Sequence, residues 1–92
     1  MNGRVDLEPF KRRADLRVLV VGVGDEPAEE ARRLRSEGYA MVAMVGDVGS
    51  IEDALRWCDV AYALDGAGAR ATARRAKRLG KFVALASEGR LR

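Results

Sequence analysis

The sequence predicts a three-layer α/β domain built on a four-stranded parallel sheet, and three observations carry that prediction. Four short apolar runs alternate with three stretches of helical periodicity. Each run is followed by glycine or aspartate, or by a short polar tail, where the chain can turn. With 92 residues there is room for one core, so all of these elements must share it. Strands alternating with helices of about 10 to 15 residues pair in parallel, because each helix is the crossover and returns right-handedly to the sheet.

Arg17 to Gly22 is a continuous aliphatic and β-branched run, the pattern of a strand buried on both faces. Gly22, Gly24 and Asp25 break it, and Asp25 is placed to cap a first helix that opens with Glu26 and Pro27. Ala28, Ala31 and Leu34 form its apolar face, Glu29 and Arg33 are spaced i to i+4 on the other, and Gly38 suits its C′ position, so it stops near Glu37. Tyr39 to Val45 reads as the second strand and closes with Gly46, Asp47 and Gly49. Ser50 and Asp53 resemble a capping box, and Ile51, Ala54, Leu55 and Cys58 make the stripe of a short second helix. Val60 to Leu64 is the third strand, ended by the loop Asp65-Gly66-Ala67-Gly68. Ala69, Ala73, Ala76 and Leu79 form the narrow stripe of a third helix that Gly80 stops, and Lys81 to Ala86 is the fourth strand. The expected strand order is 2-1-3-4, a Rossmann-like or flavodoxin-like domain over residues 17–92, with residues 1–16 as an arm, an extra strand or an oligomer contact.

Composition narrows the chemistry. A chain with 48% hydrophobic and 34% charged residues has enough to bury and enough to stay in solution. The net charge of +3 is too mild to announce a nucleic-acid or membrane partner by itself. One cysteine and no histidine exclude an intrachain disulfide framework, a Cys2His2 zinc site and a Ser-His-Asp triad. MNGRVDLEPFKRR lacks the apolar core of an export signal, and no apolar run of about 18 residues follows, so the expected compartment is the cytoplasm, with no membrane partner. No cofactor is named either. In GVGDEP the third glycine of GxGxxG falls on Pro27, and no P-loop pattern occurs.

In a parallel sheet the residues just after the strands meet along one rim. Here that rim gathers Gly22, Gly24 and Asp25, then Gly46 and Asp47, then Asp65, Gly66 and Gly68, then Ser87 and Glu88. Glycine lets a ligand approach the backbone, and the helix N-termini behind the turns offer unpaired amides to an anion, so a phosphate or ribose suits it. The same glycines and aspartates also serve simply to turn the chain and cap helices. Asp65, at the tip of the third strand, is the carboxylate nearest the expected switch point, suited to a sugar hydroxyl or a metal, or else to capping the third helix. Arg70, in that helix's first turn, opposes the helix dipole, a modest cost that an anion would offset. No acid lies between Asp65 and Glu88, whereas Arg70, Arg74, Arg75, Lys77, Arg78 and Lys81 make a cationic face. With Lys11, Arg12, Arg13 and Arg17 this is a candidate nucleic-acid surface, although aromatics are few. Trp57 lies beside the apolar stripe of the second helix, placed for edge-of-core packing or a subunit contact, and Cys58 lies on that stripe as a core residue.

The stretch Cys58-Asp59-Val60 to Leu64-Asp65-Gly66, then Gly68-Ala69-Arg70, then Ala76 with Leu79-Gly80-Lys81 and Val83, resembles the nucleoside 2-deoxyribosyltransferase-like superfamily and its short, phage-associated relatives. Ala28 to Tyr39, ending LRSEGY, is similar to their first helix. The likeness spans roughly residues 17–87 and implies a Rossmann-like fold, a nucleoside or nucleotide-like ligand and homo-oligomers. It also implies a sugar-binding role for Asp65, with Gly66 and Arg70 beside it. The family's nucleophilic Glu falls on Thr72 and its first-strand Tyr on Leu19. Without that carboxylate no glycosyl-enzyme intermediate forms, so the resemblance implies binding without transfer.

A second likeness competes. VVGVGD and ALDGAGAR are similar to the Toprim domain of primases and topoisomerases, whose strand-end acids hold Mg²⁺. Asp25 and Asp65 match two of those acids, while Val21 and Ala67 stand where two others belong. The expectations are therefore a small nucleoside- or nucleotide-binding protein, a non-enzymatic homo-oligomeric module using the third helix and Trp57, or a degenerate Mg²⁺-dependent nucleic-acid protein.

Overall fold

The computed structural model describes residues 12–91. The aliphatic run forms β1 (Arg17–Val21), whose Val18, Leu19 and Val20 are at most 1% exposed. Burial of alternate side chains on opposite faces calls for layers on both sides of the strand. In the sheet itself β1 pairs in parallel with β2 (Met41–Met44) on one edge and with β3 (Val60–Ala63) on the other, and β4 (Phe82–Leu85) adds beyond β3. The order β2-β1-β3-β4 is the expected one. The register sets Val18 level with Val42 and Val60, and Val60 level with Phe82, so the strands end at similar heights.

Alternation decides which helix each side chain meets. Val18, Val20, Val60, Tyr62, Leu64 and Ala84 point to the side of α1 (Glu26–Ser36), where Ala31, Leu34 and Tyr39 close over them. Leu19, Val21, Ala61, Ala63, Val83 and Leu85 point to the side of α2 (Ile51–Trp57) and α3 (Ala67–Arg78). The buried face of α3 is Ala69, Thr72, Ala73 and Ala76, small residues that let the helix lie close to β3 and β4. Cys58 and Trp57 pack on the same side, Cys58 fully buried.

Local chemistry sets the helix ends. The capping box of α2 is complete: the Asp53 amide donates to Ser50 Oγ at 3.2 Å and the Ser50 amide to Asp53 Oδ2 at 3.3 Å. Both longer helices end in Schellman turns. Gly38 donates to Arg35 and Tyr39 to Leu34 after α1, and Gly80 donates to Lys77 and Lys81 to Ala76 after α3.

Several expectations are corrected here. Asp25 occupies the N-cap position of α1 but already has helical φ and ψ of −88° and −12°, and its side chain caps nothing; an N-cap oxygen reaches the first-turn amides from extended backbone. Tyr39 belongs to the turn after α1 rather than to β2, because its amide completes the Schellman motif. Leu79 is 55% exposed, having left the helical stripe at the C-cap of α3. Of residues 1–16, residues 1–11 lie outside the described residues, Arg13–Asp15 form a 3₁₀ turn, and Leu16 is already part of the core. Arg13 donates to the Glu37 carbonyl and lies 5.5 Å over the Tyr39 ring, on the α1 side. Arg17 meets Asp59 at the start of the strands, so neither arginine extends the cationic face of α3.

Beyond β4 a second 3₁₀ turn (Ala86–Glu88) leads the chain across the α1 side, where Leu91 is 1% exposed in the core. A buried carboxylate secures this crossing. Glu30, 3% exposed, accepts hydrogen bonds from Arg33, Arg90 and the Tyr62 hydroxyl, and Arg33 also donates to the Leu91 carbonyl at 2.6 Å. Among the described residues no helix is long and apolar enough to cross a membrane.

Candidate functional site

The two central strands hand the chain on in opposite directions, β1 through α1 to one edge and β3 through α3 to the other. The loops therefore part above β1 and β3 and leave a crevice there, the switch point at which open α/β sheets take ligands. The crevice is a cleft of about 470 Å³. Val21, Gly22 and Val23 from the end of β1, Val45 after β2, and Ile51 of α2 make its apolar wall. Asp65, Gly66, Ala67 and Gly68, with Ala69 and Thr72 of α3, make the opposite one.

Packing accounts for Gly22. The Leu64 amide donates to the Val21 carbonyl at 2.8 Å, which draws Leu64 against β1. A Cβ at position 22 would meet Leu64 Cδ1 at 2.9 Å, and Leu64 Cβ and Pro27 Cγ at 3.1 Å. Glycine there is thus a requirement of the scaffold as well as an opening to the cleft.

Asp65 is exposed, and its carboxylate makes no hydrogen bond or ion pair with a described residue. The role of helix cap, one of its two expected uses, falls away, because Gly66 is the N-cap residue. Gly66 has φ of 136°, a left-handed value that side-chain-bearing residues rarely adopt, and it carries no capping group. The N-terminus of α3 consequently has neither a capping side chain nor an acid in its first turn. Its leading amides face outward with partial positive charge.

A second depression of about 400 Å³ adjoins the cleft, sharing Gly66 and Ala67 with it and adding Arg70 and Arg74. The geometry therefore presents an apolar wall, a carboxylate without a partner among the described residues and a cationic helix start in succession.

Of the residues expected on the rim, the fold brings Gly22, Asp65, Gly66 and Gly68 into the cleft and Arg70 beside it. Gly24, Asp25 and Asp47 do not line it. Asp47 is engaged in its own turn, where Oδ2 accepts the Met44 amide at 2.9 Å. Glu88 lies instead in a groove between α3 and β4. Sequence reasoning missed Val23, Val45, Ile51 and Arg74 as lining residues. Arg74 carried a signal, standing four residues after Arg70 on the same helix side; the aliphatic residues carried none apart from their neighbours in space.

Two side chains with possible chemistry are committed elsewhere. The Thr72 hydroxyl donates to the Gly68 carbonyl at 3.1 Å inside α3. Cys58 is buried, and burial pushes its thiol up, away from the reactive thiolate. Among the described residues no group of three or more His, Cys, Asp or Glu side chains is placed to hold a metal ion, and Asp25 does not share the cleft with Asp65. Comparison with protein-family models, with curated proteins and with solved structures finds no match for this chain.

Proposed function

We propose that this protein binds a nucleoside or nucleotide-like small molecule in the cleft above β1 and β3, and that it does so without glycosyl transfer. The observation that carries the reading is the Asp65 carboxylate, exposed and without a partner among the described residues at the mouth of an apolar cleft that leads onto the uncapped start of α3. A carboxylate there accepts hydrogen bonds from a ribose hydroxyl pair. The flat face of a base lies against Val21, Val45 and Ile51, and a phosphate meets the leading amides of α3 with Arg70 and Arg74 beside them. The resemblance to the nucleoside 2-deoxyribosyltransferase-like superfamily supports the same ligand class. Transfer is not part of the proposal, because Thr72 occupies the nucleophile's place and its hydroxyl is spent on the backbone.

The test is thermal unfolding with adenosine, AMP and ribose 5-phosphate. A ligand at about 100 times its Kd adds about 2.7 kcal/mol of stability. The expected result is a raised Tm with AMP, reduced in Asp65→Asn and, for the phosphorylated ligands only, in Arg70→Ala. No shift with any of the three at millimolar concentration overturns the reading.

A further inference from the structure

The cationic row on α3 is not absorbed by the cleft, since only its first members reach it. Arg70, Arg74 and Lys77 stand four and three residues apart, so they share one side of α3 at intervals of about 5 Å along its axis. Lys81 follows after the Schellman turn, with Nζ held by the Arg56 carbonyl at 3.0 Å. None of Arg70, Arg74 and Lys77 forms an ion pair with a described carboxylate, whereas their neighbour Arg75 is paired with Glu52.

This row borders a groove of about 480 Å³ between α3 and β4, in which, among the described residues, four cations face one carboxylate, Glu88. The floor is apolar. Val83 and Leu85 form part of it, and Phe82 is 47% exposed there.

We infer that this groove binds single-stranded nucleic acid, with phosphates along the Arg70, Arg74, Lys77 and Lys81 row and unpaired bases on the Phe82 side. A regular row of cations without intervening acids complements a regularly charged polymer. The apolar floor selects among such polymers. Unpaired bases offer flat faces to an aromatic ring, whereas a duplex keeps its bases inside the stack and meets a protein first through its backbone. A second copy of this chain is a poor occupant, because a symmetric contact through α3 would set each row of cations against its equal. This goes beyond the cleft reading and does not require it.

The experiment is fluorescence anisotropy of labelled dT12 with the full chain, run beside a dA12·dT12 duplex and a twelve-residue oligoglutamate. Four phosphate contacts give a slope of about −2.8 in log K against log salt, a loss of about 50-fold between 50 and 200 mM. The double variant Arg74→Ala/Lys77→Ala halves that slope, and Phe82→Ala weakens dT12 about tenfold. Circular dichroism of both variants verifies the fold, and the double variant at exposed positions keeps the test open if Phe82→Ala does not fold. Preference for dT12 over both competitors, with these variant effects, is the expected outcome. Absence of dT12 binding at 50 mM salt, equal binding of the duplex, or tighter binding of oligoglutamate overturns the inference. A Tm shift with AMP alongside any of those results leaves the cleft reading standing.

Discussion

Glu30 falls on the stripe Pro27, Glu30, Ala31 and Leu34, the side of α1 that meets the sheet. Polar patterning assigns a glutamate to solvent, and nothing in the local sequence shows that Tyr62 and Arg90 join Arg33 on it, since they are 32 and 60 residues away. Its side chain is 4% exposed, so it is an ion-pair hub under cover rather than a surface bridge. Removing it leaves Arg33 with Glu37 as its one described carboxylate partner and takes the Glu30 acceptor from the buried Tyr62 hydroxyl and from Arg90. Glu30→Ala is expected to destabilise the fold by about 3 kcal/mol, read from urea unfolding. An unchanged midpoint would show that water replaces the carboxylate without penalty. Asp65 was legible in the sequence for the opposite reason: an acid between an apolar run and a glycine marks a strand tip, and the parallel-sheet rule then brings that tip to the rim. Val45 and Ile51 join the same cleft only through the path of the chain, which no local pattern records.

At the scale of elements, the helix boundaries that follow from hydrogen-bonding groups were readable, and those that follow from packing were not. Ser50 with Asp53, Gly38 and Gly80 each supply a donor or acceptor where the backbone lacks one, and each stands where the sequence put it. Leu79 was misassigned because helical spacing continues on paper after the chain has turned away. The capping box matters most for α2, a helix too short to hold itself by propensity. Ser50→Ala is expected to cost about 1 kcal/mol, measured as a fall in Tm, with Ser50→Thr retaining most of the stability. Equal loss in both variants would assign the effect to packing around Ile51 instead of the hydroxyl.

For the whole molecule, topology was the most legible feature, because right-handed crossovers and one shared core leave few ways to order four strands. The division of the core between two faces has a consequence for pH. Tyr62 on the α1 side and Cys58 on the α2 side are both pushed up from their ordinary values, first by burial and then, for Tyr62, by the nearby Glu30 charge. A group whose folded pKa lies above its unfolded one contributes stability that is complete below the unfolded value and is lost as pH rises through the folded one. Stability is therefore expected to hold from pH 7 to about 9 and to fall above it. Denaturant midpoints at pH 7.5 and 11 measure the fall, and Tyr62→Phe should lessen it. An identical fall in Tyr62→Phe would place the titration elsewhere.

The two faces are not roofed alike. Helices cover the α2 and α3 side, whereas on the α1 side part of the cover is the irregular passage after the second 3₁₀ turn, whose Leu91 is buried in the same cluster as Tyr62 and Leu64. Releasing that passage costs the burial of Leu91 and the Arg33 and Arg90 clasps, with no melting of an α-helix. Because β3 lies beneath that passage and Asp65 follows its end, the strand that leads to the cleft is expected to open to solvent sub-globally, before the domain unfolds as a whole.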